Sequence, residues 1–462
     1  MKKSSLCWLR RDLRLHDHPA LHHALKDNDE CYIVFVFDKV ILDKVQNKND
    51  KRVTFIIDSL LEIERLLQKH NSSLIICYGD PLVKIPQLVS ELEVKNLYFN
   101  RDYEPYAKER DAIITDDLQK MGVDVHRYKD HAYYEQNEIR NGGGESYKVF
   151  TPYKKKWLEN FIYTQNKIIP EYKCNLKRLA PIKNKKNIID YNWFKTIGFL
   201  NSDSSFIGGT KEAKKLLKKF KMHIKDYKTA RDIPALDQTS HLSPYIRFGN
   251  ISIRDMVRLA VQNKNSGSET WLSEIIWRDF YLSILDVFPY VEKKCFRSEY
   301  NHIQWLGKKS NFNRWCEGNT GYPLVDAAMR CLNTTGLMNN RLRMIVASFL
   351  TKTLLIDWRL GERYFAEKLL DYDLAANNGG WQWSASTGVD AQPYFRIFNP
   401  YTQSKKFDPD GIFIKRWCPE LKDLSSKDIH TPDTFSSIEY PHPIVSYREQ
   451  RDSALSMYKK VK

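Results

Sequence analysis

A chain of 462 residues with 42% hydrophobic and 13% aromatic content is long enough for two or more cores and too apolar to be disordered. Its formal charge of +16 favours a polyanionic partner, nucleic acid before membrane, and no uninterrupted apolar run is long enough to cross a bilayer. Eight scattered cysteines form no C-x-x-C pair and no Cys/His metal spacing, so reduced cytoplasmic thiols and no metal site are expected.

Met1-Lys2-Lys3 resembles the charged start of a signal peptide, but the apolar run that follows is short and is broken by Arg10 and Arg11, so no targeting segment is expected. Apolar runs at 4–9, 32–37, 74–78, 96–99 and 123–128 predict strands. The spacing of Leu, Ile and Val at 20–26, 52–69, 82–91 and 106–120 predicts helices between them. This is the alternation of a doubly wound parallel five-stranded sheet, an α/β domain over residues 1–130. Its first strand leads into Arg10-Arg11-Asp12-Leu13-Arg14 rather than a glycine-rich turn, which excludes the usual dinucleotide fingerprint.

Residues 131–205 turn polar and Lys-rich, with Asn141-Gly-Gly-Gly144 and Lys183-Asn-Lys-Lys186, and read as a connector; the aromatics of 147–153 predict that it is packed rather than loose. From 206 to 462 helical periodicity is nearly continuous, at 210–220, 253–261, 270–287, 324–333, 340–353 and 361–370, predicting an all-helical domain. The lysines of 211–221 read as a solvated basic face.

The densest chemistry lies in 369–398: Asp371 and Asp373, the run Asn377-Asn378-Gly379-Gly380, Trp381 and Trp383, then Tyr394-Phe395-Arg396. Buried carboxylates and amides need partners, so this window is either a ligand site or a helix-ending turn at Asn-Gly with tryptophans as core filler. Arg343 and Arg278 can pair with the two acids, as interhelical salt bridges or around a ligand. Thr239-Ser240 and Ser243 sit at a predicted helix start, an anion site or an ordinary N-cap. Glu274 and Trp277 share one helical face, with Arg278 four residues after Glu274 offering a surface ion pair as the simpler alternative.

Seven segments carry a resemblance: Trp8–Asp17, Thr239–Ser243, Trp271–Phe280, Asn339–Met344, Ile356–Arg359, Leu369–Phe398 and Tyr401–Asp408. On these the chain resembles the photolyase/cryptochrome family along almost its whole length, most closely the class I cyclobutane pyrimidine dimer photolyases of bacteria. The resemblance implies a helical FAD-binding domain in which Arg343 and Asp371 pair beside the isoalloxazine ring, Asp373 faces its polar edge and Asn377 lies next to N5. It assigns Arg278 and Asn340 to the flavin as well. Tyr227, Thr239, Ser240, Leu242 and Ser243 fall at the flavin's diphosphate, where His241 departs from the arginine often found there.

By the same resemblance Glu274 donates a hydrogen bond to the reduced dimer, Trp277 is a stacking wall, and Trp383, Asn340 and Met344 complete the lesion pocket. Trp381, Trp358 and Trp305 match an electron-hopping chain, although with 11 tryptophans in the chain a structural role for any one of them is equally available. Arg231, Arg341 and Arg396 are placed to meet DNA phosphates at the pocket mouth.

The implied activity is light-driven repair of the dimer by electron transfer from excited reduced FAD, in a cytoplasmic monomer of bacterial type that needs no protein partner. Asn377, Glu274 and Met344, and the lack of a long polar tail beyond Lys462, are expected of a repair enzyme rather than a blue-light receptor. The absence of histidines at Asn339-Asn340-Arg341 is not expected of a (6-4) photolyase. A DNA-binding protein with a merely structural flavin is a further reading.

For a second chromophore, Tyr106 and Ala107 stand where folate-binding relatives carry an Asn-Glu pair, and Glu292-Lys293 where they carry Cys-Lys. Only the lysine survives, so a folate is expected to bind weakly or in a shifted pose, using Glu104 or Glu109; the bacterial resemblance still places methenyltetrahydrofolate before a deazaflavin, a flavin or an empty site.

Overall fold

The computed structural model describes residues 3–164, 169, 171–181, 189–432, 435 and 439–461. The basic motif at 183–186 and the first two residues lie outside them. β1 (Ser4–Leu9), β2 (Glu30–Asp38), β3 (Leu74–Gly79), β4 (Asn96–Asn100) and β5 (Asp124–Tyr128) form one sheet in the order β3-β2-β1-β4-β5, with every pair parallel. β1 is central and covered on both faces, which is why Leu6, Cys7, Trp8 and Leu9 are buried without alternation. Helices Pro19–Asp27, Lys51–Gln68, Pro81–Glu91 and Pro105–Lys120 cross between strands. Three begin on proline, and Asp50 and Asp80 cap two of them by accepting from the N–H groups of Arg52 and Leu82.

Strand order reverses at β1, the point where open α/β sheets usually hold a ligand. Here ion pairs fill it. Arg10 bonds Asp111 at 2.6 Å and also the Asn100 carbonyl, while Arg11 bonds Asp102 at 3.0 Å and Glu104 at 2.7 Å.

Beyond the sheet the Phe150–Thr164 helix packs Phe150, Tyr153 and Trp157 inward, so this part of the connector is built into the fold. Trp157 donates to Asp279 at 3.0 Å, as do the Tyr133 and Tyr134 N–H groups at 3.1 Å. Burial pushes the Asp279 carboxyl up to about 6 although those hydrogen bonds pull it back.

Among the described residues from 206 onward there are helices and no strands. The central one, Ser266–Val287, starts four residues before its periodicity begins because Asn265 and Ser268 make a reciprocal capping box. Trp358–Lys368 likewise starts early, on the Asp357 cap. The α/β and helical parts meet through buried charge: Asp130 accepts from Arg14 at 2.6 Å and from Arg254 at 2.9 Å, and Asp17 accepts from Arg254 at 3.0 Å. No described helix is long and apolar enough to cross a membrane.

Candidate functional site

The Asn377–Gly380 run is not a turn. It lies inside a helix, Leu374–Ser384, whose N-cap is Asp373, accepting from the Ala376 N–H at 3.2 Å. Packing overrides the poor helix propensity of Asn and Gly: a Cβ on Gly379 would come within 2.2 Å of the Tyr281 ring, so the glycine lets this helix press against the central one. Gly361 does the same for Trp381, whose ring a Cβ would meet at 2.2 Å. Asn378 and Gln382 tie the helix to the Val291 carbonyl at 2.9 and 3.0 Å.

Asp371 pairs with Arg343 at 3.0 and 2.8 Å, as expected. The second expected pair is different: Asp373 bonds Arg11 of the α/β domain at 2.5 Å, not Arg278. Arg278 reaches the His131 carbonyl instead, and its Nη2 is buried with no partner. Burial pushes the Asp373 carboxyl up, but Arg11 and then Arg278 more than offset this and hold it below the usual range. Glu104, sharing Arg11 with Asp102 and Asp373, is raised by burial and by these like charges. Asn377 donates through Nδ2 to the Glu362 carboxylate at 2.8 Å and the Glu362 carbonyl at 3.1 Å, which leaves Oδ1 as the atom it presents elsewhere. Two acids, an amide carbonyl and an unpartnered guanidinium N–H are a donor and acceptor set that suits the polar edge of a flavin.

At the rim, Glu274 accepts from Arg231 rather than pairing with Arg278 or standing free as a donor. Arg231 also lies 3.9 Å from Asp232, which accepts from Arg341 at 2.8 Å, and Asn339 donates to the Arg231 carbonyl at 2.9 Å. Two of the three arginines expected at phosphates therefore already hold carboxylates; Arg396 is exposed, and its carbonyl accepts from the buried Lys352 at 3.1 Å. Trp277 stacks on Phe150 with ring centroids 3.6 Å apart, Trp383 is half-buried, and exposed Asn340 donates to Met344 Sδ at 3.8 Å.

Tyr227 is buried with the Arg231 guanidinium 5.7 Å from its ring centre; burial and the nearby Glu274 raise its hydroxyl. Thr239 and Ser240 lie ahead of a five-residue helix that begins only at Ser243, so they do not themselves start a helix. Leu242 is wholly buried and donates its N–H to Ser240 Oγ at 3.3 Å.

Trp381 and Trp358 are buried and Trp305 is partly exposed, all in one apolar cluster. The rings in contact with Trp381 are Trp315, at 6.0 Å, and Phe365, at 5.1 Å; Trp305 meets Tyr458 at 6.3 Å.

The expected folate contacts are largely committed. Tyr106 donates to Asp38 at 2.8 Å, Ala107 is buried, and Glu104 is held by Arg11 and by Arg247 at 3.3 Å, while Glu109, Glu292 and Lys293 are exposed. Nearby a cavity of about 420 Å³ opens between the sheet's carboxyl end and the end of the central helix, lined by Arg101, Asp102, Lys108, Arg127, Glu135 and Asp286.

Sequence reasoning missed Arg11, Asp232 and Glu362. Only Arg11 stood in a noted motif, and it is 362 residues from its partner Asp373.

Residues 5–173 match the family model described as DNA photolyase, and residues 271–460 the model described as the FAD binding domain of DNA photolyase. The deoxyribodipyrimidine photo-lyase of Vibrio cholerae is 38% identical, with 99% of each chain covered. A bacterial class III photolyase from Agrobacterium tumefaciens superposes with a TM-score of 0.90 at 30% identity, covering 100% of this chain and 98% of that one. An archaeal photolyase from Sulfolobus tokodaii with two FAD molecules gives 0.83 at 35% identity, covering 99% and 100%. Likeness at this level, running from one end to the other and extending to a relative of nearly equal length, means that the chain belongs to the DNA photolyase family.

Proposed function

We propose that this chain repairs cyclobutane pyrimidine dimers in DNA with light, using reduced FAD held at the start of the Leu374–Ser384 helix. The observation that carries the reading is the donor and acceptor set there: the Asp371–Arg343 pair, Asp373, the oriented Asn377 amide, and an Arg278 N–H that is buried and unpartnered. When bound, the flavin supplies the light-driven electron that splits the dimer. The chain supplies position and electrostatics. Tyr227, Thr239, Ser240, Leu242, Ser243 and Asn340 hold the rest of the cofactor. Trp277 and Trp383 wall the lesion pocket with Asn340 and Met344, and Glu274, once released from Arg231 and protonated, donates to a lesion carbonyl. Enzymes of this class, photolyases included, take the target base out of the stack, and Arg231, Arg341 and Arg396 grip the backbone that is bent in doing so. Trp381, Trp358 and Trp305 would carry electrons inward from the surface to reduce the flavin, a process separate from repair itself. Residues 1–130 form the antenna domain, 131–205 the connector and 206–462 the catalytic domain of a cytoplasmic monomer.

The test is illumination of the purified holoenzyme with a dimer-containing oligonucleotide: thymine absorbance returns in the light and stays unchanged in the dark. Glu274→Ala should lower repair per absorbed photon roughly tenfold, the scale of a lost hydrogen bond to a charge-bearing group. Full yield in that variant would remove Glu274 from the lesion contact.

Glu362→Leu should also matter. With the Glu362 carboxylate gone the Asn377 amide keeps only its bond to the residue 362 carbonyl at 3.1 Å, and the flavin's midpoint potential, read by spectroelectrochemistry, should shift; an unchanged potential would show that the carboxylate does not position the amide.

For the second chromophore we infer the 420 Å³ cavity, where Arg127 suits an anionic tail such as that of methenyltetrahydrofolate, while Arg101 and Lys108 are held by Glu135 at 2.6 Å and Asp286 at 2.5 Å and would have to exchange those partners. The ion pairs of Arg10 and Arg11 fill the crevice at β1 and speak against a deazaflavin or flavin there. An action spectrum with no contribution beyond FAD after incubation with the folate would reject this site.

A further inference from the structure

Asp232 has no part in the chemistry derived above, yet it sits between two arginines of the proposed DNA rim. Its Oδ2 accepts from Arg341 Nη2 at 2.8 Å, and its Oδ1 lies 3.9 Å from Arg231 Nε. The three side chains are only partly exposed, at 31% for Asp232, 20% for Arg341 and 18% for Arg231, so solvent screens the contact incompletely.

Arg341 is poorly satisfied in this posture. Its guanidinium carbon lies 4.4 Å from the centre of the Phe407 ring, and its Nε is buried without a hydrogen-bond partner. The fork made by Nε and Nη2 therefore carries one bond where a phosphate, with two oxygens, would take both. Arg231 also bonds Glu274 and lies over the Tyr227 ring at 5.7 Å.

We propose that Asp232 is an internal competitor for DNA phosphate: it occupies Arg341 and Arg231 in the absence of DNA, and the backbone must displace it to bind. This rests on the reading of these arginines as phosphate contacts. Displacement is required whether or not the DNA carries a lesion, so the competition weakens damaged and undamaged DNA by the same factor. Asp232 thus sets affinity and residence time on DNA while leaving lesion discrimination to the pocket.

The experiment is the salt dependence of binding by the FAD-loaded enzyme to an undamaged duplex and to the same duplex with one dimer. Asp232→Asn should bind both about threefold to fivefold more tightly, the scale of a partly exposed ion pair that no longer has to be broken. Because Arg341 reaches its phosphate in both proteins, the log–log slope should be the same in wild type and variant on either duplex; a slope that steepens by roughly 0.9 in the variant on undamaged duplex alone would show that Asp232 is not displaced there and would overturn the claim of equal weakening. Adding Arg341→Ala to Asp232→Asn should cancel the gain.

Weaker binding by Asp232→Asn would overturn the proposal and make Asp232 a support that aims Arg341 at DNA. Unchanged affinity would overturn it too. Arg341→Ala alone tests the underlying reading: if neither affinity nor slope moves, the rim is not a phosphate contact, whatever Asp232 does. Asp232→Ser gives a second variant should the first bind no flavin, and must shift affinity in the same direction.

Discussion

Asp371→Ala is expected to release FAD and to destabilise the helical domain by about 2–4 kcal/mol. Asp371 is nearly buried and takes both of its bonds from Arg343, which is tied on its other side to the Met338 carbonyl at 2.9 Å and cannot swing away freely. Removing the carboxylate leaves a guanidinium without its counter-charge at the place where the flavin ring is proposed to lie, and the remaining 29% exposure of Arg343 is why the figure falls below that for a fully buried pair. Asp371→Asn keeps the shape and an acceptor oxygen but not the charge, so it should retain part of the flavin. Flavin absorbance per chain and the urea midpoint are the two measurements. A variant carrying one FAD per chain would show that the pair is structural and that the flavin is held elsewhere.

The largest effect on stability should come from Asp130→Ala, about 3–5 kcal/mol, because it takes from buried Arg14 its carboxylate partner and from buried Arg254 one of two, leaving Arg254 with Asp17. Burial by itself pushes the Asp130 carboxyl up; Arg14 and then Arg254 overcome this and hold it far below the ordinary carboxylate range. A carboxyl depressed in the folded state stabilises the fold fully above its unfolded value of about 4, and that stability is lost as pH falls toward the folded value. Asp12, brought down to about 2 chiefly by His18 against the effect of burial, titrates in the same window. Wild-type protein should therefore lose stability steeply between roughly pH 4 and 2, and Asp130→Asn, which already lacks the charge, should show a flatter dependence there. Equal slopes for the two proteins would mean that the charge of Asp130 contributes nothing to joining the sheet to the helices.

The strands of the α/β domain and six helices of the second half were readable to within a few residues, since short apolar runs and period-3.6 burial are written in local sequence. Errors at their ends came from caps: Asn265 and Asp357 extend helices beyond the apolar pattern that announces them. The turn reading of Asn377–Gly380 failed for a different reason. Its residues are those of a turn by local propensity, and only the close fit of Gly379 against Tyr281 keeps it helical.

The site divides along the same line. Sequence by itself determined that acids, amides, arginines and tryptophans of the right kinds are present, and the Arg343–Asp371 pair could be named because its two segments carry recognisable motifs. It did not determine who holds whom. Asp373 takes Arg11 from the other domain, Glu274 takes Arg231 rather than its helical neighbour Arg278, and Arg341 takes Asp232 from 109 residues away. A charge pairs with whichever opposite charge the fold brings within about 4 Å, because Coulomb attraction in a partly buried site depends on distance through space. Separation along the chain does not enter that energy, so the residue types were fixed by sequence and their partners were decided by tertiary structure alone.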